Sequence, residues 1–214
     1  MGFVIAIDGP AASGKGTISA KVGQAFGLPV LDTGLLYRAV GAAVARAGAD
    51  LDDEASCART AGTVDLAQLA DPLLRTRFAG EAASRVAVHA GVRRVLLEVQ
   101  RAFAARGRGA VLDGRDIGTV VAPDAPAKLF VTASPEVRAR RRWRQLRDLG
   151  DPVAYDDILA DIRRRDARDA ERVLAPMRPA DDAALIDTTD LDIDRAFDAA
   201  RRIVEAARAR WEPS

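Results

Sequence analysis

Histidine and cysteine are almost absent from this chain. His89 and Cys57 stand alone among 214 residues, and there is no asparagine. One thiol excludes an intrachain disulfide and a cysteine-cluster metal site. One imidazole excludes a histidine-based triad or zinc site within a single chain. No apolar run approaches the ~18 residues that would span a bilayer. The N-terminus enters an apolar strand pattern directly, with no basic segment followed by a long apolar core, so neither export nor membrane insertion is expected. A reducing cytoplasm is the expected compartment. The formal net charge of +1 offers no bulk electrostatic case for a nucleic-acid or membrane partner. Lysine is scarce too: it stands only at 15, 21 and 128, which leaves 29 arginines among the 32 basic residues. Arginine suits forked contacts to phosphate and carboxylate, although a general arginine bias in composition explains much of the excess.

What remains is an ordinary globular balance, 49% hydrophobic and 29% charged, in a chain long enough to bury a full core as one domain. Its organising stretch is Gly9-Pro10-Ala11-Ala12-Ser13-Gly14-Lys15-Gly16-Thr17. An apolar run, Phe3 to Asp8, precedes it, and a helical pattern through Ile18, Val22 and Phe26 follows. Strand, glycine-rich loop and helix in that order are the context in which G-x-x-x-x-G-K is a phosphate cradle. Gly9 and Gly14 let several backbone N–H groups converge on one anion. The helix start adds its positive end, and Lys15 can reach the outer phosphates. The alternative, a strand-to-helix turn that binds nothing, leaves the lysine unexplained. Gly16 occupies the place where a Ser or Thr commonly offers a hydroxyl to magnesium, and Thr17 comes one residue later. Contact with the metal through water is therefore expected of Thr17.

Further on, helices are expected over 16–27, 34–48 and 75–106 (broken near Gly91), then 135–149, 157–173 and 193–211. Strands are expected at 29–31, 109–113, 128–132 and 184–187. The stretch 64–76, interrupted by Pro72, has no clear pattern. Strands alternating with helices imply a parallel sheet covered on both faces. No repeat or linker divides the chain.

Three stretches bear on what receives the phosphate. Leu31-Asp32-Thr33-Gly34-Leu35-Leu36-Tyr37-Arg38 follows a strand, where ligands bind in such folds, and offers a hydroxyl, a close backbone approach and a cation. A capped helix start with a surface arginine explains it equally well. Val111-Leu112-Asp113-Gly114-Arg115-Asp116 ends an apolar strand in an acid, the pattern that sets a carboxylate near a nucleotide's metal. Its competitor is an exposed Asp-Gly turn. Arg163 to Arg172 carries Arg165 and Asp169 four apart, with Arg165, Arg168 and Arg172 expected along one helical face. A solvated, ion-paired helix is the competing explanation.

Taken with P-A-A-S-G-K-G-T, L-D-T-G-L-L-Y-R and R-D-A-R-D-A-E-R, the D-G-R-D-I-G-T-V-V stretch resembles the bacterial cytidylate kinase family over almost the whole chain. The D-G-R-D part is the most specific, since the phosphate loop is shared by many enzymes. The resemblance implies an α/β P-loop fold of three layers: a five-stranded parallel sheet, a monophosphate-binding lobe and a short lid. Core segments would be about 1–34, 107–134 and 180–214, the lobe about 35–106, and the lid with its following helix about 135–175. It also implies transfer of phosphate from ATP to CMP or dCMP with Mg2+, by a cytoplasmic monomer. Gly9 to Thr17 would hold the ATP phosphates, with Lys15, Arg115 and Arg172 acting in catalysis. Arg38, Arg115 and Arg172 would hold the acceptor phosphate, with Thr33 at the same site. Ser84, Arg93 and Asp116 would read cytosine, and Arg165 and Asp169 would contact the ribose. Thr17 and Asp113 would serve the metal through water. An arginine from Arg138 to Arg147 would join on closure of the lid. Two departures stand out: Arg85 replaces a more common glutamine, and Val64 to Leu74 is too short for the strands that relatives insert there.

Other classes remain open at this point. They are a P-loop kinase for adenylate, uridylate or shikimate, a GTP-hydrolysing switch, and a nucleotide-dependent binding module without catalysis. Against the switch, the chain contains neither an Asn-Lys-x-Asp element nor an Asp-x-x-Gly stretch.

Overall fold

A computed structural model describes residues 2–211. Its centre is a five-stranded sheet in the order β2-β3-β1-β4-β5, with β1 at Phe3–Asp8, β2 at Val30–Asp32, β3 at Gly109–Gly114, β4 at Ala127–Thr132 and β5 at Ala184–Asp187. Strand β1 is parallel to both β3 and β4, and β4 to β5. Every residue of β1 and β3 is buried, as expected of central strands covered on both faces. The register sets Ile7 beside Asp113 and Asp8 beside Gly114, so two acids arrive together at the carboxyl edge. The chain leaves β3 on one side of β1 and enters β4 on the other, and the crevice at such a reversal is where open α/β sheets bind ligands. The α/β architecture expected from the alternating pattern is the one found.

Two compact units divide the chain, one built on residues up to Leu31 and from Arg101 onward, the other on Asp32–Gln100. In the first, α1 (Lys15–Phe26) and α8 (Ile193–Arg210) cover the sheet. Ile18 and Val22 from α1 meet Ala196, Ala200, Val204 and Ala207 from α8 in one apolar cluster with Ile5, Ile7 and Val131. The alanines recur at helical spacing on α8 and bring it close to the strands. The same unit holds a pair of charged helices, α6 (Pro135–Asp148) and α7 (Tyr155–Ala170). Ser134 caps α6 through its hydroxyl, with proline at the first helical position.

The second unit contains α2 (Thr33–Arg46), α3 (Glu54–Ala61), α4 (Arg77–Val86) and α5 (Ala90–Ala104). Gly41 on α2 faces Ala82 on α4 so closely that a Cβ there would lie 2.7 Å from the alanine methyl. The unpatterned stretch resolves into two 3-10 turns, Leu66–Ala70 and Pro72–Arg75, each opened by an aspartate accepting from a backbone N–H. No strand occurs there among the described residues.

The break expected near Gly91 is found, and one other expectation needs correction. The break between α4 and α5 falls at 87–89, and Gly91 lies inside the first turn of α5. Glycine is required there for contact instead: a Cβ would sit 2.9 Å from that of Ala58, and the Gly91 N–H donates to Glu54 at 2.8 Å. Helix α7 stops at Ala170, so Arg172 does not share a helical face with Arg165 and Arg168. The chain turns back through Ala175, at φ 51°, and the Met177 N–H donates to the Asp169 carbonyl at 2.8 Å, closing the helix end.

Candidate active site

The loop between β1 and α1 has the backbone of an anion cradle. Gly9 has φ 143° and Gly14 φ 93°, and even Ala12 is left-handed at φ 59°. A Cβ on Gly9 would overlap the Val131 carbonyl oxygen. Gly14 caps α1 without any side-chain hydrogen bond, which leaves the helix's first N–H groups available to a ligand. The Ser13 hydroxyl is fully buried and finds no hydrogen-bond partner among the described residues. Lys15 Nζ lies 3.3 Å from Asp113 Oδ1, both groups nearly excluded from water.

Asp113 reaches beneath the start of α1, where its Oδ2 would lie 3.4 Å from a Cβ on Gly16. Thr17, one residue on, is exposed. Among the described residues no three acidic, histidine or cysteine side chains cluster as a metal cage. Magnesium carried by a nucleotide takes most of its ligands from phosphates and water, and one or two protein groups suffice to serve it. Asp113 and Thr17 fit that requirement.

Beyond β3, Arg115 donates through Nε to Asp169 on α7 at 3.1 Å and through Nη1 to the Gly114 carbonyl at 3.2 Å. Asp116 is buried, and its carbonyl accepts from Val120 and Val121, folding Ile117–Val121 into a single π turn. That turn is held by Asp8, whose two carboxylate oxygens accept from the Ile117 and Gly118 N–H groups at 2.7 Å each. Burial pushes the Asp8 carboxyl up to about 7, the neighbouring Asp116 and Asp113 push the same way, and the two amide bonds oppose them. No motif marks Asp8 in the sequence. Its only signal was an acid ending an otherwise apolar strand directly before the loop.

Helices α6 and α7 fasten the loop from outside. Arg138 is buried, donates to the Ala133 and Ala11 carbonyls at 2.8 and 3.3 Å, and forks onto Asp166 at 3.0 and 2.5 Å. Arg141 donates to the Ser13 carbonyl at 3.3 Å, and burial lowers its guanidinium's basicity. Ala11 and Ala12 pack on the apolar seam of Ala139, Leu146, Ile158 and Ile162. Two of the arginines expected on a mobile lid are therefore already tied to the loop, while Arg140, Arg144 and Arg147 are exposed. Of the remaining residues expected in this unit, Asp169 and Arg172 are buried and Arg165 is half-buried.

In the second unit Thr33 is buried at the start of α2 and Ser84 is buried on α4. Arg38 donates to the Leu74 carbonyl at 2.8 Å. Arg93 donates to the Ala87 carbonyl at 3.5 Å and lies over the Tyr37 ring, 5.9 Å from its centre. Arg85, beside Ser84, is turned to the surface and engages Asp52 at 3.1 and 2.5 Å.

The sequence pattern described as Cytidylate kinase matches residues 5–206. A cytidylate kinase from Caulobacter vibrioides is 62% identical over 210 residues, covering 98% of this chain and 99% of the relative. Those of Caulobacter sp. (strain K31) and Xanthobacter autotrophicus are 59% and 61% identical, covering 99% and 97% of this chain and 98% and 99% of their own lengths. A solved structure of an uncharacterized protein from Eubacterium ventriosum shares the fold, with a TM-score of 0.55 at 14% identity over 95% of this chain and 99% of that one. A family pattern matched over residues 5–206 and relatives 59–62% identical over nearly their whole lengths show that the chain belongs to the cytidylate kinase family.

Proposed function

We propose that this chain transfers the terminal phosphoryl group of ATP to CMP or dCMP, giving ADP and CDP or dCDP. The observation that carries the reading is the built phosphate loop, with Lys15 set on Asp113 and uncapped amides at the head of α1, in a chain of this family. The chemistry needs alignment and charge neutralisation, with no covalent intermediate on the protein. The loop amides and Lys15 hold the donor phosphates. Asp113 and Thr17 would hold Mg2+ through water, and the bound ion would neutralise charge on the phosphate oxygens.

Arg115 and Arg172 face the transferring group and the acceptor phosphate, and Arg38 and Thr33 bind that acceptor phosphate. Asp116 accepts from the cytosine amino group, while Arg93 and Ser84 donate to its ring acceptors. Arg165 and Asp169 contact the ribose, and the acceptor phosphate, already an anion, needs no general base. Residues 35–106 serve as the monophosphate-binding lobe and 135–175 as the lid with its following helix. We assign the chain to the cytoplasm as a monomer; among the described residues no helix is long and apolar enough to cross a membrane. A coupled ADP-release assay with CMP, dCMP, UMP, AMP and shikimate, with and without Mg2+, tests the reading. Turnover is expected with CMP and dCMP and only with the metal. ADP release that ignores all five acceptors would overturn it in favour of a nucleotide-hydrolysing switch.

A further inference from the structure

The phosphate loop carries little side chain with which to shape itself. Ala12 holds an unfavourable left-handed backbone, and the next carbonyl, that of Ser13, is gripped from outside by two donors. The shorter bond comes from Thr188, whose hydroxyl lies 2.8 Å from the Ser13 oxygen. Thr188 is buried and directly follows β5. Its backbone N–H donates to the Thr132 carbonyl at 2.8 Å, carrying the β4–β5 ladder one step further.

The hydroxyl has a single proton. That proton is directed to Ser13, with the Thr132 carbonyl a longer second acceptor at 3.1 Å, while the oxygen accepts from Arg141 at 2.9 Å. Arg141 also donates to the Thr188 carbonyl at 2.7 Å. Thr188 is thus the junction at which the end of β5, helix α6 and the phosphate loop meet. The Ser13 carbonyl and the Gly14 N–H belong to one trans peptide plane and point in opposite directions. Drawing the oxygen toward Thr188 turns the Gly14 N–H the other way.

We infer that Thr188 is a positioning residue for the nucleotide donor, holding the Ser13–Gly14 peptide with its N–H presented to the ATP phosphates. The inference rests on the reading of the loop as the ATP site. Thr188→Val keeps the branched shape and removes the hydroxyl, and Thr188→Ser keeps the hydroxyl. ATP affinity is measured by calorimetry without acceptor, KM for ATP and for CMP by ADP release, and folding by thermal melting. Thr188→Val is expected to weaken ATP about tenfold, or ~1.4 kcal/mol, with the CMP KM changed less than about twofold, and serine is expected to restore ATP binding. Valine binding ATP like the parent, equal losses for both nucleotides, or serine failing like valine would overturn the inference. Should valine prevent folding, Thr188→Cys repeats the comparison with a weak donor. A parent that binds ATP but ignores CMP would defeat the proposed reaction and leave the calorimetric test of Thr188 intact.

Discussion

Removing the Asp166 carboxylate should destabilise the chain more than removing the arginine it holds. The Arg138 side chain is 4% exposed and that of Asp166 24%. The guanidinium has four bonds: two to Asp166 and one each to the Ala133 and Ala11 carbonyls. Asp166→Ala leaves a cation beside the apolar seam of α6 and α7 with only the two carbonyls to satisfy it. Breaking a buried pair from one side costs ~3–5 kcal/mol. Water reaching the partly exposed Asp166 position lowers the expected cost to about 2–3 kcal/mol. For a chain of this size that is a fall in Tm of roughly 4–12 °C. Arg138→Met fills much of the space and leaves an aspartate that water can reach, so about 1–2 kcal/mol is expected. The double variant should lie close to Arg138→Met, because once the cation is gone the carboxylate has little left to compensate. Urea unfolding at neutral pH, with melting as a second measure, separates the cases. The reasoning is refuted if Asp166→Ala lies within about 0.5 kcal/mol of the parent, or if the two single losses simply add.

Arg38→Ala is expected to raise the CMP requirement about tenfold or more and leave that for ATP nearly unchanged; a steady-state assay showing equal losses would remove it from the acceptor site. Asp116→Ala is expected to relax base choice, and continued rejection of UMP as strong as the parent's would show that Asp116 does not read the base. Asp8 gives a pH signature. Its folded carboxyl sits at about 7 against an ordinary 3.8, so between these values the folded state keeps a proton that the unfolded chain has released. Its contribution to stability is therefore greatest below about pH 4, declines as pH rises, and is lost above about pH 7, a change of at most about 4 kcal/mol. Asp8→Asn should flatten this slope in melting curves recorded across that range. It should also lower stability at acid pH, since the amide NH2 would face a backbone N–H that the carboxyl's hydroxyl oxygen can still accept from; an unchanged slope would locate the proton elsewhere.

The groups expected to touch the nucleotides were legible in the sequence, and what holds them in place largely was not. Gly9, Gly14 and Lys15 announce themselves because the cradle needs particular backbone freedom and a particular charge at fixed spacing. Strands β1 and β3 were visible as unbroken apolar runs ending in acids. The break near Gly91 was legible but not the glycine's role, because a glycine that breaks a helix and one that lets Ala58 approach look alike in one dimension. The end of α7 was misplaced because it is set by the Met177 N–H closing on Asp169, a bond that propensity cannot anticipate. Arg138 was lost among six arginines on one helix, of which the sequence marks none as buried.

The fastenings of the loop share a physical character. Arg138 to Ala11, Arg141 to Ser13 and Thr188 to Ser13 span 127, 128 and 175 residues and all end on backbone carbonyls. A carbonyl is the same acceptor whatever side chain stands beside it. The acceptor therefore leaves no mark in the sequence, and the donor is only one more arginine or threonine. A cradle made of alanine and glycine can offer its N–H groups to phosphate because other parts of the chain hold its oxygens. Substitutions far from the loop in sequence, at 138, 141, 166 and 188, should accordingly act on the donor nucleotide before they act on the acceptor.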